Sequence, residues 1–154
     1  MKTLGDILNL YFPAAAHTES PINRPQQLVS ELLGHRDNKF VLCKPEETPQ
    51  GEGCFVQCQA PVGKYRADIL ITVKAYTRTP KIWPPLAEFK MAVECDGKDF
   101  HTSPEQKAHD KERDDYFKSQ GIKTVRFTGS EIYRGVKMVV LEIINHIENG
   151  IKLP

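Results

Sequence analysis

The sequence predicts an α/β fold, a central mixed β-sheet flanked by helices, and three observations carry that expectation. Helix-type and strand-type segments follow one another as helix, strands, helix, strand, helix, an order that covers both faces of a sheet. The segments Cys54–Ala60 and Tyr65–Lys74 are strand-like and are joined by Pro61-Val62-Gly63-Lys64, a hairpin signal. Near the C-terminus Val136, Val139, Val140, Ile143, Ile144 and Ile147 recur with the period of a helix laid on a core.

Taken in order, residues 1–24 form an N-terminal arm: a short apolar piece, Pro13, then a polar stretch to Pro21. Residues 25–154 form a single domain. Pro25 opens a helix whose apolar stripe is Leu28, Val29, Leu32 and Leu33 and which Gly34 stops. Lys39–Lys44 reads as a short strand and Pro45–Gly53 as a loop rich in Pro, Glu and Gly. After the hairpin, Ala75–Pro85 holds three prolines and no period, so it reads as a long loop. It also carries Arg78, Lys81 and the sole Trp83, next to Lys74, as a substrate-facing insertion or a plain surface loop. Phe89–Asp96 is a strand, Pro104–Gln120 a helix ended near Gly121, Lys123–Phe127 a strand and Gly135–Ile147 the last helix.

Composition narrows the function classes. With 154 residues, 40% hydrophobic and 27% charged, the chain is an ordinary globular domain, which excludes disordered and collagen-like readings. No apolar run approaches the roughly 18–20 residues of a membrane span, and no secretory signal is visible, so the expected location is the cytoplasm. A net charge of +1 excludes a generally basic nucleic-acid glue; phosphate affinity must come from local placement of charge. Cys43, Cys54, Cys58 and Cys95 are expected to be reduced thiols. Along a strand Cys54 and Cys58 stand about 13 Å apart, too far to share a zinc ion.

Chemistry concentrates on two strands. In Tyr65–Val73 alternation puts Ala67, Ile69, Ile71 and Val73 on one face and Arg66, Asp68 and Thr72 on the other. In Lys90–Gly97 it puts Met91, Val93 and Cys95 on one face and Lys90, Ala92, Glu94 and Asp96 on the other. Glu94 and Asp96 are then about 6.5–7 Å apart along the strand. If the strands are neighbours, Asp68 joins them, and three gathered acids call for a hard cation such as Mg²⁺ or Mn²⁺. The competing reading is an ordinary solvent-facing sheet face. His101 follows five residues after Asp96, close enough to return to the same end. The helix from Pro104 sets Gln106, Asp110, Arg113 and Phe117 on one stripe, which faces the sheet because Phe117 belongs to it. Asp110 and Arg113 read either as a structural salt bridge or as groups that orient a phosphate or a metal-site side chain.

Tyr65-Arg66-Ala67-Asp68, Val93-Glu94-Cys95-Asp96-Gly97 with His101, Asp110-Lys111-Glu112-Arg113-Asp114 and Gly121 through Arg126-Phe127 follow in that order. The ordered set resembles the Vsr-like branch of the PD-(D/E)XK nuclease superfamily, related to the very short patch repair endonucleases. The likeness spans roughly residues 55–147. It implies a restriction-endonuclease-like core and a metal-dependent phosphodiesterase site. Asp68 and Glu94 would stand for the two motif acids, and Asp96 would stand where the superfamily usually has lysine. His101 would match a histidine near the cut site, and Asp110 and Arg113 the D-x-x-R pattern of the following helix. Ser20-Pro21-Ile22-Asn23 departs from the family's S-P-I-E by an amide in place of an acid, with Glu31 as a candidate substitute. The motif lysine has no clear counterpart, since Lys98 is only near in sequence and Lys90 lies far along the strand, so proton transfer falls to His101.

The expected function is a divalent-metal-dependent endonuclease acting on DNA, plausibly as a nickase. RNA as substrate, in a toxin or defence effector, and a catalytically quiet nucleic-acid-binding module are the alternatives. A protein partner that supplies specificity would suit a chain this short and modestly charged. The oligomeric state is not legible in the sequence.

Overall fold

Strand pairing organises the molecule. The computed structural model describes residues 24–75, 87–96 and 103–151. The elements are α1 (Arg24–Leu33), β1 (Phe40–Cys43), β2 (Gly53–Val62), β3 (Tyr65–Ala75), β4 (Ala87–Asp96), α2 (Pro104–Ser119), β5 (Ile122–Thr128) and α3 (Gly129–Gly150). One five-stranded sheet runs in the order β1-β2-β3-β4-β5. The β1–β2 and β4–β5 pairs are parallel, and the two central pairings are antiparallel, so the sheet is mixed. Among the described residues no helix is long and apolar enough to cross a membrane.

The two sheet faces bury different helices. Leu28, Val29 and Leu32 of α1 and Ile132, Val139, Val140, Ile143, Ile144 and Ile147 of α3 pack on Val56, Cys58, Ile69, Ile71, Val73, Met91, Val93 and Phe127. On the other face Phe117 of α2 packs with Leu70, Ala92, Ile122, Ala60, Tyr65 and Ala67. Arg126 reaches from β5 to Asp114 of α2 through two parallel bonds of 2.5 and 2.7 Å, pinning that helix to the sheet edge.

Local chemistry sets the element ends. Ser103 caps α2, its Oγ accepting from the Gln106 N–H, with Pro104 in the first turn. Thr128 and Glu131 form a reciprocal capping box at the start of α3. The last helix therefore begins at Gly129, not Gly135. Gly135 is instead an internal kink with φ −163° and ψ 65°. The hairpin is tighter than expected, because both strands run on and only Gly63 and Lys64 connect them. Gly63 has φ +61°, the left-handed value that a two-residue hairpin turn needs at its first central position. Lys74 lies in β3, within the strand read from the sequence. Its side chain is buried and donates to the Pro49 carbonyl at 2.7 Å, so it anchors the loop after β1.

The expectations for the arm, for Ser20 through Asn23, for Arg78, Lys81 and Trp83, and for Gly97, Lys98 and His101 lie outside the described residues.

Candidate active site

Asp68 and Glu94 meet where the β3–β4 ladder ends. The last paired residues of that ladder are Ile69 and Val93, so the next position on each strand carries an acid. Asp68 continues the ladder with its side chain: Oδ2 accepts the Cys95 backbone N–H at 2.9 Å. Its other oxygen, Oδ1, accepts from Gln59 Nε2 at 3.4 Å. These two donors restrain the carboxylate, whose charge acts on Glu94.

Glu94 is 2% exposed, deeper than an ionised carboxylate normally sits. Burial, then the charge of Asp68, pushes its pKa up to about 8, while Arg113 pulls the other way. Asp68 is close enough to share a proton with it. Among the described residues Glu94 Oε1 has no hydrogen-bond partner although it is buried. A buried acceptor without a donor costs about 1–3 kcal/mol.

Helix α2 supplies the opposite wall as its stripe predicts. Gln106 Nε2 donates to Asp110 Oδ1 at 3.2 Å, and Asp110 pairs with Arg113 at 3.6 Å. Arg113 reaches down to Glu94 Oε2 at 4.0 Å, and among the described residues its buried Nε has no hydrogen-bond partner. Arg113 therefore stands between the carboxyl groups of Glu94 and Asp110. Asp96, Asp110, Asp114 and Arg126 share the shallow depression beside this row. All three strand acids push up the thiol of Cys95, after burial itself. Among the described residues, however, no three His, Cys, Asp or Glu side chains converge as a metal cage. The structure thus brings Asp68, Glu94, Arg113 and Asp110 together and leaves Asp96 one strand repeat away. Glu31 lies on α1, whose buried face packs with α3 on the opposite sheet face, and it is not among the charges acting on Glu94.

A cleft of about 370 Å³ is lined by Lys64, Tyr65, Arg66, His109, Glu112 and Arg113. Four of these six carry or can gain positive charge, and Tyr65 lies between them with its ring 6.1 Å from that of His109. All four cysteines are free thiols, and burial lifts the Cys58 thiol to about 12.

A family model of restriction endonuclease-like proteins, REase_MTES_1575, matches residues 50–147, more than half of the chain. The chain belongs to this PD-(D/E)XK-type nuclease family. No curated protein and no solved structure matches it significantly. The matched span of this nuclease runs from just before β2 into the last turns of α3. Asp68, Glu94, Asp96, Asp110 and Arg113 all fall within it.

Sequence reasoning missed Gln59. Strict alternation would put it on the same face as Gln57, and nothing in residue type marks it out. Its φ of +52° makes it the one described non-glycine residue in the left-handed region. That turnover moves Ala60 from the Val56–Cys58 side to the α2 side of the sheet. Opposite it, Ala67 also packs on the α2 side, and not with Ile69, Ile71 and Val73 as alternation predicts.

Proposed function

We propose that this nuclease is a divalent-metal-dependent endonuclease of the Vsr-like branch that hydrolyses DNA phosphodiester bonds. One observation carries the reading: Glu94 is buried against Asp68 with an unpartnered oxygen and a pKa near 8. A hard cation fits that donor set, because it would satisfy the orphaned oxygen and draw Glu94 into its anionic form. Asp68 and Glu94 would hold the ion, with Asp96 reaching in from the strand end. Bound there, Mg²⁺ or Mn²⁺ would supply charge neutralisation at the phosphate and a lowered pKa for the attacking water.

The chain's own residues do the rest. Asp68 is held in one orientation by the Cys95 N–H and the Gln59 amide. Arg113, already aimed at Glu94, is placed to meet charge that develops on phosphate oxygens, to which a guanidinium is geometrically matched. Asp110 keeps that guanidinium in place. Proton transfer to the leaving oxygen is assigned to His101 on its position five residues beyond Asp96. The cleft at Lys64, Arg66, His109 and Arg113 supports a polyanionic substrate running past the acids.

The test is incubation with supercoiled plasmid, single-stranded DNA and RNA, each with Mg²⁺, Mn²⁺ or EDTA. Plasmid nicking or linearisation that EDTA abolishes is the expected result. Asp68→Ala and Glu94→Ala should remove it with an unchanged far-UV circular dichroism spectrum. Full activity in either variant overturns the site, and binding without cleavage under every condition overturns the enzyme in favour of a quiet binding module.

A further inference from the structure

We propose that Gln59 is a positioning residue of the site: it holds Asp68 in its working orientation and ties it to the basic cleft. The proposal rests on the nuclease reading above and adds to it a residue outside the acidic and helical motifs.

Three observations converge on this side chain. Gln59 stands on β2 directly across from Asp68, between the paired positions Cys58–Ile69 and Ala60–Ala67. It adopts φ +52°, a conformation in which a β-carbon crowds the backbone and which glycine or asparagine would take more readily. The register on either side of Gln59 is the same, so the turn does not shift the strand pairing; it carries Ala60 to the α2 side of the sheet and re-aims Gln59 itself. Its second effect is local. It lets Nε2 reach Asp68 Oδ1, and it turns the Gln59 carbonyl toward Arg66, whose NH1 donates to it at 2.9 Å. Backbone strain that persists beside reactive groups is characteristic of sites whose geometry is held by their surroundings.

The arrangement divides the work on one carboxylate. The Cys95 N–H fixes Oδ2 from β4, and Gln59 fixes Oδ1 from β2. With both oxygens engaged, Asp68 is restrained from swinging away from Glu94 when a polyanion or a cation approaches. Arg66 lines the basic cleft, so a phosphate seated there presses on the same backbone carbonyl that orients the Gln59 amide. Substrate contact and acid orientation thereby share one residue.

Gln59→Gly removes the amide and also removes the strain, so structural and functional roles give opposite results. Glycine relieves the left-handed cost while adding a smaller loss of chain entropy, so the metal-free variant should melt no lower than wild type. If Gln59 positions Asp68, the same variant should lose roughly 10–100-fold in kcat on plasmid or in Mn²⁺ affinity, as outer partners of ligating carboxylates do. KM for DNA should change little. Gln59→Met, which keeps the bulk and the strain but has no donor, should show the same activity loss without the relief of strain. Mn²⁺ binding is read by electron paramagnetic resonance on the protein and the metal alone, with no need for turnover. A Gln59→Gly protein that matches wild type in both Mn²⁺ affinity and kcat overturns the positioning role and leaves the nuclease reading intact. A wild type that neither binds Mn²⁺ nor cleaves overturns the nuclease reading itself, and the positioning role with it.

Discussion

Replacing Glu94 by Gln should stabilise the metal-free protein, and by an amount that depends on pH in a defined direction. The Glu94 pKa is raised from its ordinary 4.5 to about 8, by burial first and by Asp68 second. A carboxyl with a raised folded pKa binds a proton more tightly in the native state than in the unfolded chain. Its contribution to stability is therefore fully present below about pH 4.5 and is lost as pH rises through about 8. At about pH 7 the unfolded chain gains by ionising Glu94 while the fold still holds it neutral. The difference, at 1.36 kcal/mol per pH unit, is about 3 kcal/mol. Above about pH 8 it levels off near ~5 kcal/mol, an upper figure because buried sites relax and admit water. Glutamine has nearly the same shape and never ionises. Glu94→Gln should equal wild type near ~pH 4.5, apart from a constant offset where its amide meets Arg113, and exceed it by a growing margin above. For a domain of this size about 3 kcal/mol corresponds to roughly 6–12 °C in Tm. The assay is thermal and urea unfolding of both proteins in EDTA across that pH range. A pH-independent difference, or a variant less stable than wild type at about pH 8.5, would show that Glu94 is not held as a buried neutral acid. The cation argument would then lose its ground.

Three stability predictions follow from the framework around the site. Gly63→Ala should cost about 1–2 kcal/mol from its φ of +61° alone. The new methyl must also displace the Tyr116 hydroxyl, which would lie only 2.2 Å away, and chemical denaturation will read the sum. Thr128→Ala breaks the capping box at α3 and should cost about 1 kcal/mol by the same measurement, with partial loss of helical circular dichroism. Arg126→Met removes the two-pronged grip on Asp114 and should cost about 1–3 kcal/mol. Arg126→Lys should restore less than half of it, because an ammonium cannot make two parallel bonds.

The sequence by itself determined the sheet-and-helix layering, the α3 core stripe and the inward stripe Gln106–Asp110–Arg113–Phe117. Each is a periodic signal, and periodicity is a property of local backbone geometry that tertiary contacts rarely overrule. The alternation in β4 likewise put Glu94 on the face opposite Met91 and Val93, where it is found. The start of α3 was legible too, in the Thr128-to-Glu131 spacing, but Gly135 draws the eye as a helix boundary because its cost inside a helix is usually avoided. Only the tertiary structure decided the rest. That Asp68 and Glu94 are neighbours depends on β3 and β4 pairing in one register, and pairing joins residues far apart in the chain. That Lys74 points into the protein depends on a carbonyl offered by a distant loop. Gln59 is the sharpest case, since its role follows from a single backbone angle. Composition and period average over such an angle, and it is held in place by partners on two other segments, Asp68 and Arg66.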